Sequence, residues 1–262
     1  MISMGCDLGA IAAKCVLLKG GEYLAAAITP NEGRLAEAMG EAIDRALDAA
    51  GLNRDEVETV GGTGWAERYI PMEHRAHTTI SSLAVGVRWA VPQARTVLDI
   101  GGLSTTAISL GSQGGVDEYR ANDRCASGTG FYLDLAAQAL ELDVEQLGAV
   151  ALGATSRAHI SAQCAVFGES EIVTHVNDGT GVPDIAAGIA HSIGRSVATM
   201  TRRLGVEPQL VVCGGVAKNQ AVVQAVLEEL NAEAAVLEPD PQILGAVGAA
   251  LLAAEHLPGG RS

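Results

Sequence analysis

Two segments of the sequence place an aspartate and glycine directly after a run of apolar residues. The first is Asp7-Leu8-Gly9-Ala10, which is followed by Lys14, and the second is Asp99-Ile100-Gly101-Gly102. Glycine has no Cβ, so backbone N–H groups in such a turn can approach phosphate oxygens. An aspartate there can hold Mg²⁺ through water, and a lysine adds a positive charge. The pattern predicts two phosphate-binding turns, with Asp7 and Asp99 as catalytic carboxylates. The predicted nucleotide ligands in these turns are Gly9, Ala10, Lys14, Gly101 and Gly102.

A third glycine turn, Gly214-Gly215-Val216, follows the apolar run Leu210–Cys213 and precedes Asn219. Small residues at the end of a strand leave room for a ligand against the backbone. One glycine turn is more often structural, but three turns in this order favour a nucleotide site. We interpret Gly214, Gly215, Val216 and Asn219 as the loop that binds the base and ribose.

Cysteine is the second informative residue type. The five cysteines are Cys6, Cys15, Cys125, Cys164 and Cys213, an odd number without disulfide-like spacing. Cys125 and Cys164 stand where helices are predicted to begin, and the positive end of a helix dipole favours the thiolate form. The other three lie inside apolar strands, where a cysteine behaves as a small hydrophobic residue. We therefore expect those three to be buried.

Two thiolates at helix N-termini suit an anionic iron–sulfur cluster. A [4Fe–4S] cluster takes four cysteine ligands, and this chain offers only Cys125 and Cys164 in matching contexts. If both are ligands, the remaining two come from a second subunit across a symmetry axis. One alternative is a cysteine nucleophile with His159 or His175 as its base. The other is that all five cysteines are buried hydrophobic residues.

The composition excludes several classes of protein. The chain has 262 residues and a net charge of −14, which argues against a nucleic-acid partner. No stretch of about 18 uncharged apolar residues predicts a membrane span, and Met1–Gly9 lacks the basic start of a secretory signal. We therefore expect a cytoplasmic protein with reduced cysteines.

Predicted strands and amphipathic helices alternate along the chain, which is typical of an α/β fold. The pattern of strand, aspartate, glycine turn and strand occurs twice, around Asp7 and Asp99, and this repeat indicates a duplication. We expect a first lobe over residues 1–94, with a C-terminal helix at 242–256 packing on it. A second lobe over residues 95–241 carries Cys125 and Cys164, and the two lobes share one cleft.

These residues resemble the BadF/BadG/BcrA/BcrD ATPase family, which includes 2-hydroxyacyl-CoA dehydratase activators and the ATPase subunits of benzoyl-CoA reductase. The two cysteine segments are the specific part of the resemblance, because sugar kinases, actin and Hsp70 share the phosphate turns. The matching pieces run in the family's order over nearly the whole chain. They are both aspartate turns, Asn122–Gly130, Ser161–Phe167, Glu169-Ser170-Glu171, Gly214–Ala217 and Asn219.

The resemblance implies an actin-like ATPase fold of the sugar kinase, Hsp70 and actin superfamily, with two duplicated lobes around a nucleotide cleft. It implies ATP, Mg²⁺ and a [4Fe–4S] cluster shared across a dimer of ATPase-fold subunits, held here by Cys125 and Cys164. In this scheme a ferredoxin-type donor supplies an electron. ATP then drives its delivery at low potential to a CoA-thioester dehydratase or a benzoyl-CoA-type reductase.

Two segments depart from the family pattern. Ala10-Ile11 stand where Ser-Thr is common, and Leu103-Ser104 stand where Gln-Asp is common. The chain is then either a homodimeric activator or one subunit of a heterodimer whose partner carries the fuller site. In the second case the chain could be a non-hydrolysing subunit of the pair. The other alternative is a small-molecule kinase of the same fold for a sugar or amino sugar, with Asp99 as the catalytic carboxylate.

Overall fold

The computed structural model describes residues 1–122, 125, 129–161 and 164–255. Contacts divide the chain into two compact units. Unit 1 comprises Met1–Gln93, Ser112–Val116 and the chain from Leu237 onward, and unit 2 comprises Ala94–Gly111 and Asp117–Val236. The lobe boundaries given above, and the cleft between the lobes, stay predictions.

Unit 1 is built on a five-stranded sheet with the strand order β3-β2-β1-β4-β5. The strands are β1 (Ile2–Leu8), β2 (Ala12–Lys19), β3 (Glu22–Pro30), β4 (Thr59–Thr63) and β5 (Arg75–Ala76). Strands β1, β2 and β3 pair antiparallel, whereas β4 runs parallel to β1. Three helices accompany the sheet: α1 (Leu35–Ala50), α2 (Thr79–Ala90) and α8 (Leu244–Glu255).

The central strands of unit 1 are buried on both faces, which is why they are apolar at nearly every position. Cys15 and Leu17 pack with α1, whereas Val16 and Leu18 pack with α8. Helix α8 lies very close to the sheet, since a Cβ built on Gly5 would meet the Ala246 carbonyl oxygen at 1.8 Å. Glycines thus take the place of large side chains at this contact, in keeping with the low aromatic content.

Unit 2 is built on a four-stranded sheet with the order β8-β7-β6-β9. The strands are β6 (Thr96–Ile100), β7 (Thr105–Leu110), β8 (Val116–Asn122) and β9 (Leu210–Cys213). Its helices are α3 (Gly130–Ala139), α4 (Val144–Leu152), α5 (Ala165–Asn177), α6 (Val182–Arg202) and α7 (Gln220–Leu230). One apolar core joins sheet and helices, with Leu98, Tyr132 and Ile189 among its buried members.

The two sheets repeat one arrangement, and the predicted α/β class is confirmed. In each sheet an antiparallel hairpin is followed later in the chain by a strand parallel to the hairpin's first strand. The apolar run Ala234–Leu237 predicts a last strand, and this prediction is wrong, because Ala234 alone makes a bridge there, to Leu210. Within the described ranges, no helix is both long enough and apolar enough to cross a membrane.

Candidate functional site

In the first aspartate turn, Asp7 is ion-paired with Lys14. The two residues are cross-strand partners on β1 and β2, and Lys14 Nζ lies 3.1 Å from Asp7 Oδ2. Both side chains are mostly buried, with 13% and 15% of their surfaces exposed. A carboxylate buried to this degree needs a partner of opposite charge. Lys14 therefore neutralises Asp7 here, and a phosphate would compete for the same ammonium group.

Gly64, directly after β4, contributes to the surroundings of Asp7 and was not predicted as a site residue. Its φ is +100°, and a Cβ at this position would lie 2.6 Å from Asp7 Oδ1 and 2.5 Å from the Leu8 carbonyl oxygen. Only glycine fits such a place. The signal in the sequence is the glycine-rich run Gly61-Gly62-Thr63-Gly64. Gly245 of α8 approaches the same carboxylate, because its Cβ would lie 3.1 Å from Asp7 Oδ2.

Asn31 holds the backbone of the first turn and was also missed. Its side-chain amide donates hydrogen bonds to the carbonyl oxygens of Gly9 at 3.0 Å and Ala10 at 2.8 Å. Its backbone N–H donates to the carbonyl oxygen of Ile11 at 2.9 Å. Because Asn31 is 4% exposed, these bonds satisfy polar groups that water reaches poorly.

The second aspartate turn repeats this geometry in unit 2. Asp99 pairs with Thr106 on β7 and with Cys213 on β9. Gly214 has a φ of +86°, and its Cβ would lie 2.6 Å from Asp99 Oδ1 and 2.5 Å from the Ile100 carbonyl oxygen. Gly214 is thus the counterpart of Gly64, and each glycine follows the strand parallel to the aspartate strand.

The Cys213 thiol donates a hydrogen bond to Asp99 Oδ1 across 3.9 Å. Burial, together with the negative charge of Asp99, raises the pKa of this thiol well above its ordinary value. Cys213 therefore stays protonated and supports the carboxylate as a neutral donor.

The residues after Gly214 have local structural contacts. Gly215–Lys218 form a 3₁₀ turn, in which Val216 is buried against the core. The side-chain oxygen of Asn219 accepts the N–H of Val222 at 3.1 Å and so caps α7. The expected contact of Gly214, Gly215, Val216 and Asn219 with a base and ribose stays a prediction.

Backbone hydrogen bonds connect the second turn to helix α3. The N–H of Gly130 donates to the carbonyl oxygen of Gly101 at 2.9 Å, and the N–H of Phe131 donates to that of Gly102 at 2.8 Å. The first N–H groups of a helix have no acceptor inside the helix. The turn after Asp99 supplies these acceptors, so turn and helix start are one bonded unit.

The five cysteines fall into two environments. Cys6, Cys15 and Cys213 are fully buried, as predicted, whereas Cys125 and Cys164 are partly exposed. A hydrogen bond with Cys6, followed by burial, raises the pKa of the Cys15 thiol well above its ordinary value. The two partly exposed cysteines are those that the sequence predicts as iron ligands.

Cys125 and Cys164 differ in their relation to the helices. Cys164 is the N-cap residue of α5, as predicted. Helix α3 begins only at Gly130, after an extended Thr129, so Cys125 is not adjacent to its first turn. The helix start expected at Ala126 falls outside the described residues. The carbonyl oxygen of Cys125 accepts a hydrogen bond from the Asn122 side-chain amide at 3.2 Å.

No cluster of three or more His, Cys, Asp or Glu side chains is placed to hold a metal ion in the described part of the chain. The predicted iron ligands are only two thiols per chain, so they would not form a cluster of this size.

The model of the BadF/BadG/BcrA/BcrD ATPase family matches residues 4–253. The chain belongs to this family. The 2-hydroxyisocaproyl-CoA dehydratase activator of Clostridioides difficile is 35% identical over 97% of this chain and 95% of its own length. One of the polypeptides of benzoyl-CoA reductase from Thauera aromatica is 32% identical over 95% of this chain and 92% of its own length.

Solved structures agree with the family assignment. The activator of the 2-hydroxyisocaproyl-CoA dehydratase from Clostridium difficile, with bound ADPNP, matches with a TM-score of 0.92 at 34% identity, over 97% of this chain and 94% of that chain. A ROK family glucokinase from Streptomyces griseus matches with a TM-score of 0.56 at 15% identity, over 97% and 100% of the two chains, which shows the fold alone. This family member has the actin-like ATPase fold that the resemblance implied.

Proposed function

We propose that this chain is an ATP-dependent activator that delivers low-potential electrons to a CoA-thioester dehydratase or a benzoyl-CoA-type reductase. The observation that carries this proposal is the pair of hydrogen bonds from Gly130 and Phe131 to the turn after Asp99. A nucleotide that shifts this turn would also shift helix α3, which follows Cys125 in the chain. Such a link joins a nucleotide-dependent element to a redox site.

We assign ATP and Mg²⁺ to the two aspartate turns. The N–H groups of Gly9 and Gly101 already donate to Ala12 at 3.1 Å and Ser104 at 2.8 Å within their turns. Phosphate contacts therefore fall to the following N–H groups, those of Ala10 and Gly102. Lys14 supplies the positive charge, and the carboxylates of Asp7 and Asp99 hold Mg²⁺ through water.

We assign the [4Fe–4S] cluster to Cys125 and Cys164, which fit this role. They are the partly exposed cysteines, and a thiol must be reachable to bind iron. Cys164 is the N-cap residue of α5, and the positive end of a helix dipole favours an anionic ligand such as the cluster. When bound, the cluster supplies one-electron transfer at low potential, received on the family pattern from a ferredoxin-type donor. Two ligands per chain require a second subunit for the remaining two.

Exposed apolar residues support a subunit interface beside Cys164. Val166 and Phe167, in the first turn of α5, have 66% and 69% of their surfaces exposed. Large apolar and aromatic side chains of this kind are enriched in protein interfaces. We propose that a second ATPase-fold subunit, identical or homologous, covers them.

The departures at Ala10-Ile11 and Leu103-Ser104 bear on ATP hydrolysis. The first removes two hydroxyl groups and the second an amide and a carboxylate from positions beside the two turns. We expect hydrolysis by this chain alone to be slow. Replacing Ala10-Ile11 by Ser-Thr should raise the steady-state rate of phosphate release, and an unchanged rate would show that these hydroxyls do not limit hydrolysis.

Anaerobic reconstitution with iron and sulfide tests the cluster assignment. The wild-type protein should be brown and contain about four iron atoms per dimer. Cys125→Ala and Cys164→Ala should each lose colour and iron, whereas the control Cys6→Ala, which removes a buried thiol, should retain both. An iron-free wild-type protein, or full iron content in the Cys125→Ala/Cys164→Ala variant, would overturn the assignment.

The same preparations test nucleotide coupling. Mg²⁺ with a non-hydrolysable ATP analogue should change the rate at which a chelator removes iron from the wild-type protein. Phosphorylation of a sugar at the same rate by wild type and Cys125→Ala would instead support the kinase alternative. Unchanged chelation with nucleotide bound would support the non-hydrolysing subunit.

A further inference from the structure

The segment His159–Ser161 precedes Cys164 in the chain, and side chains from two helices bind its backbone. We call these four side chains the backbone clamp. They are Glu171 and His175 of α5, and Ser192 and Arg195 of α6. Glu171 belongs to a motif of the family resemblance that the proposed function leaves without a role.

The α5 side of the clamp contacts both ends of the segment. A carboxylate oxygen of Glu171 accepts the N–H of Ser161. The imidazole Nε2 of His175 lies 3.2 Å from the carbonyl oxygen of His159. Glu171 and His175 are four residues apart, so they project from one face of the helix.

The α6 side of the clamp binds the remaining carbonyl groups. Ser192 Oγ donates to the carbonyl oxygen of Ser161 at 3.5 Å, and Arg195 Nη2 donates to that of Ile160 at 3.4 Å. The Ile160 side chain is 2% exposed, which shows how far this segment is buried. Backbone groups at this depth need partners from the protein.

The segment also lies against the backbone of α6. A Cβ on Gly188 would come within 2.3 Å of the Ala158 carbonyl oxygen. The N–H of Ala158 donates to the carbonyl oxygen of Asp184 at 3.0 Å. The chain from Ala158 to Ser161 is therefore fixed by contacts along its length.

We propose that Glu171 is a positioning residue for Cys164, and this inference rests on the proposed role of that cysteine as an iron ligand. Helix α5 fixes Cys164 on one side, through the hydrogen bond from the Gly168 N–H to the Cys164 carbonyl oxygen at 2.9 Å. The clamp fixes Ser161, three residues ahead, on the other side. The bond from Glu171 closes the chain from 161 to 171 into a ring, which limits the positions open to the Cys164 sulfur.

Hydrogen exchange at the Ser161 amide in the iron-free protein tests the first step. Glu171→Ala removes the acceptor, and the loss of one hydrogen bond should speed exchange by about tenfold. Glu171→Gln keeps an acceptor oxygen and should restore the protection. Glu169→Ala is the matched control, because Glu169 carries the same charge on the same helix and is exposed. Unchanged exchange in Glu171→Ala would overturn the clamp.

The alkylation rate of the Cys164 thiol tests the second step, again without iron. Glu171→Ala should change this rate several-fold relative to that of Cys125, and Glu171→Gln and Glu169→Ala should not. Equal rates in all variants would overturn the positioning role. If Glu171→Ala does not fold, Glu171→Leu, which keeps much of the side-chain volume but offers no acceptor to the Ser161 N–H, takes its place in both assays.

Iron retention separates this inference from the proposed function. After reconstitution, Glu171→Ala should lose iron to a chelator several-fold faster than wild type, with rescue by Glu171→Gln. A wild-type protein that binds no iron refutes the proposed function, whereas normal retention in Glu171→Ala refutes only the positioning role.

Discussion

The two aspartate turns share a framework and differ in what holds them. In both, the aspartate is the second-last residue of the first hairpin strand. In both, a glycine of positive φ lies against its Oδ1, at Gly64 in one unit and Gly214 in the other. The position of the aspartates follows from the duplicated sequence pattern, and the glycine contacts show that the backbone arrangement around them is repeated as well.

The differences lie across the hairpin and behind the turn. Opposite Asp7 stands Lys14, whereas opposite Asp99 stands Thr106. Asn31 binds the first turn through its side chain, whereas the backbone of helix α3 binds the second. The first turn is therefore neutralised and fixed by side chains, and the second is connected to a helix. On the proposed function, the second turn is therefore the one through which a bound nucleotide would act on a helix.

Substitution of the two shared glycines should have the largest effect. Gly64→Ala and Gly214→Ala would each drive a Cβ into a carbonyl oxygen at 2.5 Å and hold alanine at an unfavourable φ. Backbone strain and steric overlap together should lower the free energy of unfolding by about 4 kcal/mol in each case. Urea denaturation of the two variants measures the loss.

Gly33→Ala is the matched control for these variants. Gly33 also has a positive φ, of +82°, but its Cβ would meet nothing within 4 Å. Only the strain of the left-handed conformation remains, so we expect a loss of about 1 kcal/mol. Equal losses at all three glycines would mean that the contact with the aspartate carboxylate contributes nothing.

Lys14→Met and the corresponding substitution in the second turn should differ clearly in their effect on stability. Lys14→Met leaves the mostly buried Asp7 carboxylate without its cation, which should lower the free energy of unfolding by about 2–3 kcal/mol. The corresponding Thr106→Val should cost about 1 kcal/mol or less. Adding Asp7→Asn to Lys14→Met should recover part of the loss. Additive effects of the two changes in thermal unfolding would contradict a direct ion pair.

Much of this comparison could be predicted from the sequence. The aspartates and the glycines that follow them form a local pattern, so the turns and the repeat were visible. Cys6, Cys15 and Cys213 lie in apolar strands, and their burial followed from that context.

The contributions that were missed come from distant parts of the chain. Asn31 and Gly64 lie more than 20 and 50 residues beyond the turn they contact, so no local spacing reveals them. Strand β8 was missed because its residues are almost all exposed and lack the apolar alternation that marks a half-buried strand. The bonds from α3 to Gly101 and Gly102 are backbone contacts, which side-chain types do not encode.

Asn31→Ala should weaken the first turn without affecting the second. It removes two hydrogen bonds, so the carbonyl oxygens of Gly9 and Ala10 lose the donor that the Asn31 side chain supplies. We expect the free energy of unfolding to fall by about 1–2 kcal/mol. Nucleotide affinity should also fall, as measured by calorimetry. Asn53→Ala, a capping residue of an exposed 3₁₀ turn, serves as the control that leaves nucleotide affinity unchanged.

Phe131→Pro should sever one of the two links between the second turn and α3. Proline has no N–H to donate to Gly102, and it is tolerated in the first turn of a helix, as Pro183 shows in α6. The control Phe131→Ala removes the ring but keeps the N–H. We expect a stability loss of about 1 kcal/mol beyond that of the control, with nucleotide binding retained. The nucleotide-dependent change in the rate of iron chelation should become smaller in Phe131→Pro alone. An equal decrease in Phe131→Ala would show that the coupling depends on the phenyl ring and not on the N–H.

Tyr132→Phe should have the smallest effect at neutral pH and tests how α3 is anchored beyond the second turn. The hydroxyl of Tyr132 is buried and has no hydrogen-bond partner among the described residues, and a Cβ on Gly168 of α5 would lie 2.1 Å from it. Removing an unpaired buried hydroxyl should leave the free energy of unfolding unchanged or raise it by up to about 1 kcal/mol. A loss larger than this would reveal a partner for the hydroxyl.

The pH dependence of the stability of this variant tests whether the Tyr132 hydroxyl is buried in the folded state. Burial, with a smaller contribution from Glu171, raises the pKa of Tyr132 from 10 to about 12. The folded state then holds this proton more tightly than the unfolded state, so the associated stability is complete below pH 10 and is lost as the pH rises towards 12. Urea midpoints across this interval should fall more steeply for wild type than for Tyr132→Phe. Parallel curves would mean that the tyrosine ionises alike in both states, and that the α3–α5 contact does not exclude water from its hydroxyl.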